Sequence, residues 1–156
     1  MGTSSLKGLL WKDDIGLKMI YSYTHYDGYP DYMGRVLTTH YGDTLKAKGL
    51  IELGNVSTVE PDIDKVTVYP GEPPKKFWDS FLKDLDGVDM GYVAVVDPEQ
   101  PSKVKWYLVP PADYSSVEYA GKEYRLHAYF SYRIYPDRLE PEPIDPVDLP
   151  GFAKEE

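Results

Sequence analysis

His25 and Asp27 stand two residues apart at the end of a strand-like run, and in extended backbone the side chains at i and i+2 point to the same side. An imidazole and a carboxylate so placed could ligate a cation together with His40, or bind and polarise a small ligand. Tyr26, Tyr29 and Tyr32 surround the pair with phenols, and a helix starting after Pro30 would turn backbone N–H groups toward an anion. A plainer reading competes with this one. Asp27-Gly28 makes a turn, Pro30 stiffens it, and the tyrosines pack a sheet against helices. The residue types favour the plainer reading, because a histidine beside a turn usually serves as a hydrogen-bonding group.

Other chemistries lack their residues. The chain has three histidines and no HExxH-like spacing, no Gly-x-Ser-x-Gly nucleophile turn, and no glycine-rich phosphate loop followed by lysine. Cysteine is absent, which removes thiolate catalysis, disulfides and Cys-based zinc sites. Paired acids occur at Asp13-Asp14, Asp62 with Asp64, and Asp84 with Asp86; in an acidic chain these read as solvated turn residues. No enzymatic activity and no cofactor are expected.

Charge narrows the partners. Twenty-six acidic residues against 17 basic give a formal charge of −9, which repels nucleic-acid phosphates and anionic lipid. A protein with a basic surface is the better match. Fifteen tyrosines among 156 residues put hydroxyls on much of the apolar surface, so tyrosines are expected at the core margin and on an exposed face. No apolar run is long enough to span a bilayer and the first residues lack a signal-peptide pattern, so a cytoplasmic location is expected.

The elements that position these residues follow from periodicity. Residues 6–11 and 17–24 read as a β-hairpin, with Asp31 capping a helix to about residue 41 and Asp43 capping a second that stops at Gly54-Asn55. Residues 65–69 read as a strand. Residues 75–86 read as an amphipathic helix whose stripe is Phe77, Trp78, Phe81, Leu82 and Leu85. Strands are expected over 91–97, 103–109 and 123–135, the last entered through a hairpin turn at Ala120-Gly121. In that long strand Arg125, His127, Tyr129 and Arg133 share the face turned to solvent or a partner. The fold class is α+β: a mostly antiparallel sheet of about five to six strands against a short helix hairpin and one amphipathic helix. Residues 1–136 form a single domain. Residues 137–156 are a proline-rich acidic tail, extended or disordered, or an arm that packs through Ile144, Val147, Leu149 and Phe152.

The run Ile20-Tyr-Ser-Tyr-Thr-His-Tyr-Asp-Gly-Tyr-Pro30, followed by Gly34, Leu37, His40-Tyr41 and Leu50-Ile-Glu-Leu-Gly-Asn-Val-Ser57, resembles a group of small phage and mobile-element proteins. The resemblance covers residues 20–57. This chain departs from it with Tyr26 where tryptophan is common and Asn55 where aspartate is common. The resemblance implies no established activity. With the acidic, tyrosine-rich composition it points to an accessory protein that binds a host protein, as an inhibitor of defence or transcription machinery. The contact residues are expected among His25, Tyr26, Asp27, Tyr29, Tyr32, His40, Arg125, His127, Tyr129 and Arg133. A small-molecule binder built on the His25/Asp27 turn and a virion structural component are the alternatives.

Overall fold

Apolar residues alternate to both sides of the strands, and both sides are covered. The structure, a computed structural model, describes residues 3–112 and 115–144. Strands β1 (Ser5–Lys12) and β2 (Leu17–Thr24) form the expected hairpin, Ser5 opposite Thr24 and Lys12 opposite Leu17. Asp13 closes its turn by accepting from the amides of Ile15 and Gly16. A five-residue π-turn, Pro30–Gly34, leads into α1 (Arg35–His40), and Tyr41 to Asp43 connect it to α2 (Thr44–Glu52). There follow β3 (Lys75–Lys76), α3 (Trp78–Leu85), β4 (Met90–Asp97), β5 (Gln100–Val109), β6 (Ser116–Tyr119), β7 (Lys122–Arg125), β8 (Tyr132–Ile134) and β9 (Leu139–Pro141). Seven strands make one sheet in the order β3-β2-β1-β4-β5-β8-β9, and β6 with β7 makes a separate hairpin. Among the described strands only the β1–β4 neighbours in the large sheet run parallel. The fold is α+β, with α1, α2 and the π-turn on one face and α3 on the other.

Strand β4 shows why two layers are needed. Tyr92 and Ala94 pack toward Leu37, Leu50 and Ile51, whereas Val93 and Val95 pack toward Phe81 and Leu85, and all are buried. A strand covered on both sides must be apolar at successive positions, as this one is. Helix α2 starts as its sequence suggests: Asp43 accepts from the amides of Leu45 and Lys46. Among the described residues no helix is long and apolar enough to cross a membrane.

Four expectations are corrected. Residues 65–69 are not a ladder strand: a short 3₁₀ turn, Ile63–Lys65, is followed by one bridge between Val56 and Val68. Val68 and Tyr69 stay exposed, since among the described residues no layer lies outside this segment. The helix expected from residue 75 begins at Trp78, because Lys75 and Lys76 pair with the otherwise open edge of β2. Phe77, between the two, takes a left-handed φ of 80° and points to solvent, 71% exposed.

The long strand over 123–135 is two strands. Residues 126–131 leave the ladder to carry the chain from the small hairpin to the large sheet, and Tyr129 sits at φ 64°. The expected two-faced alternation is lost with it, since Ser131 is as buried as Tyr132. Asp31 does not cap a helix: its carboxylate accepts from the Ala120 amide, 2.9 Å, and holds the β6–β7 turn. The π-turn leaves it that role, since the amides of Tyr32 and Met33 already donate to Tyr29 O. Of the two readings of the segment after residue 136, residues 139–144 follow the packed arm. Leu139–Pro141 pairs with β8, and Ile144 is buried in the same core layer as Phe81 and Leu85. The rest of the expected tail, 145–156 with Val147, Leu149 and Phe152, lies outside the described residues.

Candidate functional site

The segment with His25 and Asp27 is held by its backbone. Beyond Thr24, the His25 amide donates to Val56 O (3.0 Å) and the Tyr26 amide to Ser57 O (2.7 Å). Asp27 then turns the chain at φ 58°, a conformation that aspartate tolerates better than most residues. Gly28 is wedged: its amide donates to Thr3 O (2.7 Å), its carbonyl accepts the Tyr92 hydroxyl, and a Cβ would lie 2.7 Å from Ser5 Cβ and 2.8 Å from Thr3 O. Gly28→Ala is therefore expected to destabilise the protein by about 1–3 kcal/mol, read as a lowered urea midpoint at unchanged m-value.

Outside this frame the rings gather around His25. Tyr23 Oη lies 2.8 Å from His25 Nδ1, the Tyr26 ring meets the imidazole edge-on at 4.3 Å between centroids, and Tyr69 approaches at 6.3 Å. Tyr69 comes from the segment bridged to Val56, more than 40 residues along the chain. Tyr29 and Tyr32 continue the surface with ring centroids 6.1 Å apart, and the Tyr32 hydroxyl donates to Val59 O. Tyr26 and Tyr29 are each 44% exposed.

Carboxylates fringe the rings. Thr58 donates to Asp27 at 3.4 Å. Burial, then the nearby Glu60 and Asp27, raise the Tyr32 phenol above its ordinary value. Burial likewise raises Tyr23, with Tyr69, Asp89 and Tyr26 adding to it against a hydrogen bond with Ser4. The raised phenols of Tyr23 and Tyr32 are neutral at physiological pH. They offer contact area and hydrogen bonds.

The remaining expected site residues disperse. His40 is exposed at the end of α1, and among the described residues no three histidine, aspartate or glutamate side chains form a metal-binding group. Arg125, His127, Tyr129 and Arg133 do not share a face, because the strand that would align them is interrupted. Arg125 is exposed on β7, and the His127 ring lies against Phe130. Tyr129 turns the other way to donate to Asp86. Arg133 lies over the rings of Tyr107 (6.0 Å) and Tyr135 (4.9 Å) and pairs with Glu142 at 3.8 Å.

Two cavities were not anticipated. One, about 810 Å³, opens between α2 and the far end of the sheet, against Leu9, Trp11, Leu45, Val96, Pro98 and Pro101. The other, about 330 Å³, adjoins Tyr21, Tyr23, Asn55, Lys75 and Asp84. Its polar floor is internally satisfied: Asp84 accepts from Tyr21 (2.7 Å) and Lys75 (3.3 Å), and the Tyr21 hydrogen bond, then Lys75, hold its carboxyl below the usual range. Neither cavity is lined by His25, Asp27 or His40. The sequence signal for the larger one was Trp11 and Leu45, apolar side chains at element ends where the strand and helix patterns no longer bury them. No protein-family model, curated protein or solved structure matches this chain.

Proposed function

We propose that this chain is an accessory protein of a phage or mobile element that acts in the host cytoplasm by binding a host protein with a basic surface, as an inhibitor of defence or transcription machinery. The observation that carries the reading is the acid-fringed surface of exposed rings centred on His25. Tyrosines contribute large contact area at little cost in rotamer entropy and are enriched where interfaces concentrate their energy. Arginine or lysine side chains of a partner can stack on those rings while Asp27, Glu60 and Asp89 complement their charge. The resemblance over residues 20–57 supports the phage assignment. Gly28 and Asn55, both within that run, hold this same surface in place through the Thr3 carbonyl and the Tyr23 amide.

The test is capture of a stoichiometric partner from bacterial lysates with the tagged protein, followed by a measured affinity. The double substitution Tyr26→Ala with Tyr69→Ala is expected to weaken binding at least about 30-fold, two interface tyrosines being worth on the order of 2 kcal/mol or more together. Ile15→Ala, in the exposed β1–β2 turn at the opposite end of that hairpin from His25, is expected to leave it unchanged. Absence of any stoichiometric partner across several hosts, or equal binding by the double variant, overturns the proposal.

A further inference from the structure

The 810 Å³ cavity lies at the opposite end of β1 from the ring surface. Ser5 pairs with Thr24 beside His25, whereas Trp11 and Lys12 pair with Lys18 and Leu17, roughly 25 Å away for a strand of this length. Its volume falls within the range of roughly 300–1,000 Å³ usual for small-molecule sites. Its wall is apolar, formed by Leu9 and Trp11 from β1, Val96 from β4 and Leu45 from α2. Leu45 is 78% exposed, and among the described residues no side chain covers the wall there.

Three charged residues line it: Lys12, Lys48 and Asp97. Asp97 is engaged by its own turn, accepting from the Glu99 amide at 2.9 Å. Among the described residues neither lysine has an ion pair or a side-chain hydrogen bond. In a chain of charge −9, two uncommitted lysines beside an apolar wall make a local excess of one positive charge over Asp97. That excess suits a singly charged head group. A dianionic phosphate would also face the Asp97 carboxylate.

We propose that this cavity binds a small amphiphilic carboxylate, an apolar chain lying against Trp11, Leu45 and Val96 with its head group at Lys12 and Lys48. The site is independent of the ring surface and of whatever protein that surface engages. Desolvating the chain supplies most of the affinity and the lysines select the anion.

Decanoate is the probe, with decanol as its neutral counterpart. Calorimetry is expected to show saturable 1:1 binding of decanoate, accompanied by a change in indole emission. Trp11→Phe should abolish the emission change while calorimetric binding persists, because the other two tryptophans lie outside the cavity. Lys12→Glu with Lys48→Glu should weaken decanoate roughly tenfold or more and leave decanol within about twofold. Both lysines are exposed, so the double variant should fold, checked by its urea midpoint. No saturable binding of decanoate overturns the proposal, as does equal affinity of the charge-reversed variant or an emission change that survives Trp11→Phe.

Discussion

Raising the pH from 7 to 9 is expected to stabilise this protein by roughly 2 kcal/mol, and Lys7→Met is expected to remove that gain. Lys7 lies in the middle of β1 with no exposed surface, on the face covered by α2. Its ammonium donates to Tyr23 O (3.1 Å) and Gly54 O (3.3 Å), two neutral acceptors, and among the described residues no carboxylate pairs with it. Burial alone pushes its pKa down to about 7. The folded state therefore holds the proton less tightly than the unfolded chain, where lysine keeps its ordinary value. The cost of the buried charge is fully present below about pH 7 and is relieved as the pH rises toward 10.5. Stopping at pH 9 keeps clear of the tyrosines, whose raised pKa values act the other way: burial holds Tyr41 and Tyr119 up at about 12, so stability falls once phenols ionise in the unfolded chain. Urea midpoints at several pH values would decide it. A wild-type curve as flat as that of Lys7→Met would mean that Lys7 stays charged and solvated in the fold.

Lys7 also shows where the sequence stops being legible. In Leu6-Lys7-Gly8-Leu9 a lysine reads as a solvent-facing position, which holds for a sheet covered on one side. Here α2 and the segment after it cover the second side. Local signals were readable where the chain satisfies itself: the β1–β2 turn, the Asp43 cap and the Ala120-Gly121 hairpin all follow from neighbours in sequence. They failed where a distant segment decides. Phe77 leaves its helix because β2 needs an edge partner, and residues 123–135 alternate like one strand although Tyr129 turns the chain between two sheets. At the site, His25 and Asp27 were recognisable as a turn. Tyr69, which completes the ring surface, arrives through a single bridge at Val56, and the larger cavity needs β1, α2 and the β4–β5 turn together.

Gly54→Ala is expected to destabilise the protein by about 3–4 kcal/mol, against about 1–2 kcal/mol for Gly71→Ala. Both glycines are left-handed, at φ 84° and 92°, so both substitutions carry the same backbone penalty. They differ in surroundings. A Cβ on Gly54 would stand 2.2 Å from Glu72 O, whereas one on Gly71 would meet nothing within 4 Å. Equal losses in urea unfolding would mean that the Glu72 carbonyl moves aside freely. The larger loss at Gly54 should also reach the ring surface, because this residue ends α2 and starts the contact with β2. Its carbonyl accepts from Lys7, the Asn55 side chain accepts from the Tyr23 amide at 3.2 Å, and Val56 exchanges bonds with Tyr23 and His25. The run Leu50-Ile-Glu-Leu-Gly-Asn-Val-Ser57 thus has a physical reason for its residue types. Glycine lets the chain pass under Glu72, asparagine supplies the acceptor for the β2 backbone, and valine fixes the strand end that presents His25 and Tyr26.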